Sequence, residues 1–401
     1  MWSWYLASRT LCLLLLLPES GVLSDITYFG RVLAQTGPGR ALPEYPWPAV
    51  ALLELPRQLG AADGAPFHLA LIALFAAVDA AFAGWLWRAG GRRMTRGLVL
   101  WLLIGPVLGP LVLTRFDSLA GALAALALLA LAAARPAAAG AAVALGAGVK
   151  LFPVVGLPAL LLPGSARQRL SVLAGAALAG LALAAATVAA GGVERLWSPF
   201  AFQAGRGLHV EAFGALPFLW ARHFGAGTWE SRLGDCRCYE LHGPGVDLAM
   251  QLGTATLALG IAGLALLYWR ALRAGPAARD AALAARLTVL ALLLFIATNK
   301  VFSPQYLIWI AAPLAVLALV SEDSLPRADF ALLIGACALT QVIFPLNYDT
   351  LAHADKSRAW VLLVLLARDA ALVALGARLA ARIWRDCGSP GVSPPRAPGS
   401  G

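Results

Sequence analysis

Residues 24–30 read Ser24-Asp25-Ile26-Thr27-Tyr28-Phe29-Gly30, directly after the first apolar segment of the chain. A polar, proline-studded run follows, PEYPWPAVALLELP, from Pro43 to Pro56. This order puts an acid at the end of a hydrophobic helix, where water meets a bilayer, with a loop of aromatics and prolines behind it. It predicts a membrane-embedded chain that holds Asp25 at the bilayer surface.

Composition agrees. The chain has 401 residues, of which 60% are hydrophobic and 13% charged, with a mean hydropathy of +0.76. A soluble domain of this size has no room to hide so much apolar surface, so the class is a polytopic membrane protein. The net charge of +10 does not point to a nucleic-acid partner, because most basic residues lie in short loops between apolar segments, where they set orientation. The Ala, Leu and Arg bias suggests a bacterial source. Five cysteines are too few and too scattered for a disulfide framework. Cys236 and Cys238 form a C-x-C beside Asp235, Glu240 and His242, a spacing that matches no zinc pattern. They read as plain loop cysteines or a local disulfide. No metal and no cofactor are expected.

A crossing needs about 20 apolar residues. On that measure the crossings fall at roughly 2–19, 66–88, 97–113, 117–134, 137–163, 170–190, 246–269, 281–298, 305–320, 330–346 and 360–383. Gly105-Pro106 and Gly109-Pro110 break the third. Lys150 and Pro153 divide 137–163 into two short segments, giving an all-α fold of about 12 transmembrane or re-entrant helices. The first of these carries Arg9 ahead of LCLLLLLP, without a small-residue cleavage site, and reads as a membrane helix. Arginines at 88, 92, 93 and 96, at 167 and 169, at 270, 273 and 279, and at 382 and 385 mark the cytoplasmic loops. The net acidic loop 321–329 falls on the same side. Residues 1–384 then form one transmembrane domain with outer loops 19–65, 191–246 and 347–359, and 385–401 form a disordered cytoplasmic tail.

This threading gathers several ionisable groups on the outer face. Asp25 by itself reads as a solvated helix end or a partner of Arg31. On its side, however, stand Arg115, Lys150, Arg206 and Lys300, in the motifs TRFD, GAGVKLFP, GRGLHVEAFG and TNKVFSPQYLIW. Each could snorkel to lipid headgroups; together they suit a phosphate, with arginine forks and lysine point charges. An acid and cations at one surface fit attack by a hydroxyl on a substrate with a phosphate leaving group. Asp79, Arg368 and Asp369 lie within crossings and read as structural, with Asp79–Arg368 as a possible pair. Adjacent residues such as Arg368 and Asp369 are expected to face apart. His68, His223 and His353 read as ordinary loop or interfacial histidines, and no nucleotide-binding glycine motif is present.

From SDITYF through PEYPWPAVALLELP, TRFD, KLFPVVGLPALLL, RGLHVEAFGALP and KVFSPQYLIWIAAP to LLARDAALV, the segment order resembles glycosyltransferase family 87. These are bacterial polyprenyl-phosphate-mannose-dependent mannosyltransferases with a type C glycosyltransferase (GT-C) fold. The resemblance implies a cell-membrane enzyme using a polyprenyl-phosphate sugar donor and a glycan or glycolipid acceptor at the extracytoplasmic surface of the bilayer. It implies Asp25 as general base and an inverting transfer, which gives Arg115, Lys150, Arg206 and Lys300, gathered by the threading, the place of phosphate ligands. It further implies substrate contacts from Tyr28, Tyr45, His209, Glu211, Ser303 and Gln305. The chain departs from that pattern at Gln203, where relatives carry His, and at Ala212, where Ser is common. Kinked helices and intramembrane charges also fit a transporter or a flippase of lipid-linked sugars, although no internal repeat is visible.

Overall fold

The computed structural model describes residues 1–16, 20–225, 228–234, 238–275, 279–321, 325–353 and 356–388. The chain begins with α1 (Trp2–Leu16), α2 (Ser24–Thr36), α3 (Trp47–Gln58) and α4 (Gly64–Ala89). A kinked pair follows, α5 (Arg96–Leu108) and α6 (Leu111–Thr114), then α7 (Asp117–Ala132), α8 (Pro136–Val149) and the short α9 (Leu157–Leu160). Next come α10 (Ala166–Gly191), α11 (Glu194–Gly205), α12 (Leu216–His223), α13 (Val246–Arg273) and α14 (Ala281–Thr298). The chain closes with α15 (Tyr306–Val320), α16 (Arg327–Ile343), α17 (Tyr348–His353) and α18 (Trp360–Asp386).

By length and composition, α4, α10, α13, α14 and α18 can each cross a bilayer, while α5, α7, α8 and α15 are shorter apolar helices. Only 6% of the apolar window of α13 and 11% of that of α10 is buried. Apolar faces that wide do not survive in water, so lipid covers them. In contrast, α15 is buried on every side from Tyr306 to Ala318, as a helix that is apolar all round must be. It packs against α5, α7 and α14 at the centre of the bundle. The most extensive helix contact joins α8 to α10. There Gly140 faces the backbone of Val172 and Gly175 faces that of Ala137, so close that a Cβ on either would collide. Small residues let membrane helices approach to this range.

Helix ends follow local chemistry. Ser165 and Gln168 form a reciprocal capping box on α10, and Thr95 and Asp280 cap α5 and α14. Gly109, with φ of 78°, separates α5 from α6, a conformation that favours glycine. Lys150 ends α8 in an extended conformation before the 3-10 turn Phe152–Gly156, so 137–163 is two segments, as the sequence reading expects.

Other expectations are corrected. The outer segment 19–65 is largely helical, because Ile26, Phe29, Gly30 and Leu33 of α2 and Ala49, Val50, Leu53 and Pro56 of α3 recur at helical spacing and are buried. Asp25 therefore opens α2, after a 3-10 turn at Ser20–Leu23, rather than closing α1. The segment 191–246, expected as an outer loop, adds a small antiparallel sheet to the helices, β1 (Leu208–His209), β2 (Glu230–Leu233) and β3 (Tyr239–His242), in the order β1-β3-β2. Asp79 pairs not with Arg368 but with Arg9, whose Nε and Nη2 donate at 2.7 and 2.9 Å, while Trp101 donates at 2.8 Å. Arg368 does reach its neighbour Asp369, at 2.9 Å, because its long side chain bends back. Asp329, in the first turn of α16, is bound by Arg378 and Arg382 of the last helix. The helix α18 continues through Asp386, so 385–386 are helical; the rest of the expected disordered tail from 389, and Asp235 and Cys236 of the C-x-C, lie outside the described residues.

Candidate active site

At one end of the bundle, the start of α2, the ends of α6, α8 and α11, strand β1 and the segment before α15 enclose a cavity of about 140 Å³. Asp25 enters it from the first turn of α2. Its Oδ2 lies 3.3 Å from Arg115 Nε, and Arg115 also donates to the Val22 carbonyl at 2.9 Å. The guanidinium thus fixes the carboxylate and the turn before α2 together. No bond to Arg31 is needed, and that side chain is exposed.

Behind this pair, Lys150 donates to both oxygens of Asp117, at 2.8 and 3.0 Å. Trp309 Nε1 donates to the same carboxylate at 2.6 Å. The ammonium lies 5.9, 5.5 and 5.4 Å from the ring centres of Tyr45, Tyr306 and Trp309. A lysine caged by aromatics and anchored by a buried acid keeps its charge at a fixed point.

A further part of the lining comes from the loop motif RGLHVEAFG. Arg206 Nη2 lies 2.9 Å from Cys238 Sγ, its Nε makes no hydrogen bond, and among the described residues it enters no ion pair. Cys238 is disulfide-bonded. His209 is buried; its Nδ1 accepts from the Glu211 N–H at 3.4 Å and its Nε2 meets the Tyr348 hydroxyl at 3.3 Å. Burial, with Arg206 and Arg368 nearby, lowers its pKa to about 3, so the imidazole is neutral in physiological buffers. Glu211 is fully buried and Arg368 Nη1 donates to its Oε2 at 2.8 Å. Burial outweighs that cation and raises the carboxyl pKa to about 7.

Of the residues singled out from sequence, Asp25, Tyr28, Tyr45, Arg115, Lys150, Arg206, His209, Glu211, Ser303 and Gln305 all line this cavity. Lys300 does not. Its ammonium donates to the Ala204 carbonyl at 2.9 Å and borders separate apolar grooves beside α13. Its backbone carbonyl accepts from the His209 N–H at 2.8 Å, which ties KVFSPQ to β1 and turns the lysine side chain outward.

Sequence reasoning missed Glu44, Asp117, Tyr348 and the link from Arg368. Glu44 lines the cavity, its Oε2 makes no hydrogen bond, and burial raises its pKa. Its signal was visible as a carboxylate between Pro43 and Tyr45 in the quoted run. Asp117 was visible too, as the acid of TRFD. Tyr348 gave no local sign, and Arg368 stood out only as a charge within a crossing; both meet the site through tertiary contacts.

The family model for glycosyltransferase family 87 matches residues 44–304. The match covers more than half of the chain, including Glu44, Arg115, Lys150, Arg206 and Glu211, and starts after Asp25. No curated protein and no solved structure matches. With this family match carried on a bundle that includes bilayer-length apolar helices, this chain belongs to glycosyltransferase family 87 and is a membrane glycosyltransferase.

Proposed function

We propose that this chain moves mannose from a polyprenyl-phosphate donor to a hydroxyl of a cell-envelope glycan or glycolipid, on the extracytoplasmic face of a bacterial cell membrane. The supporting observation is the convergence of Asp25, Arg115, Lys150 and Arg206 on one cavity at a single end of the bundle. Asp25 is the general base. The acceptor oxygen attacks the anomeric carbon as its proton passes to the Asp25 carboxylate, and the bond from that carbon to the phosphate oxygen breaks. The electron pair leaves on the polyprenyl phosphate, and in-line attack turns a β-linked mannosyl phosphate into an α-mannoside.

The cations have separate parts in this reading. Arg206, without a carboxylate partner among the described residues, meets the phosphate directly. Lys150 offers a fixed positive charge from its aromatic cage, and Arg115 orients the base. Preorganised donors of this kind stabilise charge as it grows on the leaving group. Lys300 has no part in it.

The test uses purified protein in nanodiscs with labelled polyprenyl-phosphate-mannose and an acceptor extract from bacterial envelopes. Sugar transfer that is lost in Asp25→Ala is the expected result. No transfer, with donor crossing proteoliposome membranes instead, would overturn the reading in favour of a flippase.

A further inference from the structure

We propose that Glu211 reads the transferred sugar, one carboxylate oxygen accepting a hydrogen bond from a single sugar hydroxyl while Arg368 holds the other oxygen. The inference rests on the reading of the cavity as a sugar-transfer site.

Its starting point is an imbalance within a buried cluster. Glu211 and Arg368 side chains are both 0% exposed. Arg368 is committed on several sides: Nη1 to Glu211 Oε2 at 2.8 Å, Nη2 to the Glu211 carbonyl at 2.8 Å and Nε to Asp369 at 2.9 Å. The face of its guanidinium lies 4.0 Å from the Phe302 ring centre. The cation cannot swing to serve a second oxygen, and Glu211 Oε1 makes no hydrogen bond. Buried carboxylate oxygens are ordinarily satisfied.

Neighbouring groups do not supply the missing donor. The Nδ1 of His209 accepts from the Glu211 N–H, and the Tyr348 hydroxyl is turned to His209 Nε2. Glu211 nevertheless lines the same cavity as Asp25. A sugar held for attack beside Asp25 presents hydroxyl groups to the other lining residues of this cavity, and a hydroxyl is the donor that Oε1 lacks. A site built this way rejects an analogue missing that hydroxyl, because the buried oxygen is then left unpaired.

The experiment measures kcat/KM in nanodiscs for polyprenyl-phosphate-mannose and its 2-, 3-, 4- and 6-deoxy analogues, with the wild type, Glu211→Gln and Glu211→Asp. Thermal unfolding is recorded for each variant. The wild type is expected to discriminate against one deoxy donor by at least about 10-fold. In Glu211→Asp, which keeps the charge for Arg368 but withdraws the carboxylate, that ratio should fall toward unity while the other ratios stay. A common loss for all donors would mean a structural role and would overturn the inference, as would a wild type that accepts every deoxy donor equally. Absence of transfer by the wild type from any lipid-phosphate sugar is a different result, and it removes the underlying reading as well.

Discussion

Arg115 stands 3.3 Å from Asp25, and this single contact joins the first turn of α2 to the end of α6 at the mouth of the cavity. The carboxylate is therefore positioned by a cation from another segment rather than left to move in solvent. The arrangement separates the cation that holds Asp25 from Lys150 and Arg206, which line the same cavity without pairing with Asp25.

Removing the base should be the most damaging change in the cavity. Asp25→Asn keeps the shape of the side chain, and sugar transfer should fall by about 10²–10⁴-fold. Single-turnover assays with labelled donor check this. A variant retaining more than a tenth of wild-type transfer would remove Asp25 from the role of base.

Arg206 and Lys300 should behave differently although both arise from outer motifs of similar character. Arg206→Ala removes a charged donor to phosphate, and kcat/KM for the lipid donor should drop by roughly 10–100-fold. Lys300→Ala leaves the backbone bond to His209 in place and should stay within about twofold of the wild type, since its side chain lies outside the cavity. Donor titrations of the two variants side by side decide it; equal losses would place Lys300 on the phosphate after all.

The pair of Arg9 and Asp79 should matter for folding and not for chemistry. Their side chains are 6% and 0% exposed, and breaking a buried pair costs about 3–5 kcal/mol because a charge is left alone. Arg9→Met or Asp79→Leu should each lower the thermal midpoint sharply. The double variant should recover part of that loss, as measured by fluorescence-detected thermal unfolding in detergent.

Stability should also depend on the ionisation of Glu211. Its carboxyl pKa is raised by burial from 4.5 to about 7, so between those values the folded chain binds more protons than the unfolded one. The associated stability is complete below pH 4.5 and is lost as pH rises through about 7. Arg368, Asp369, Tyr348 and His209 face it, and His209, with its pKa lowered to about 3, stays neutral across this window. Thermal midpoints from pH 5 to 8 should fall for the wild type, and the slope should be smaller in Glu211→Gln.

Hydropathy and loop charge alone determined the membrane class, the approximate helix limits and the break at Lys150, because crossing lengths and glycine–proline interruptions are local properties. They also marked several charged residues of the cavity wall, since Asp25, Arg115, Lys150 and Arg206 each sit in a polar motif at the edge of an apolar run; Glu211 was named only through the family resemblance. The helices of residues 24–58 were hidden, because a window of bilayer length averages away a short amphipathic repeat such as Ile26, Phe29 and Leu33. Charge partners were decided only by tertiary structure. Arg9 rather than Arg368 faces Asp79, Arg368 crosses from α18 to Glu211, and Lys300 turns away when its own carbonyl binds β1. As for Asp25, the sequence supplied an acid at the water boundary. The tertiary fold brought Arg115, just past α6, to Asp25 and the turn before α2 and placed the acid on a cavity, since pairing between distant charges depends on how helices meet and not on how far apart they lie in the chain.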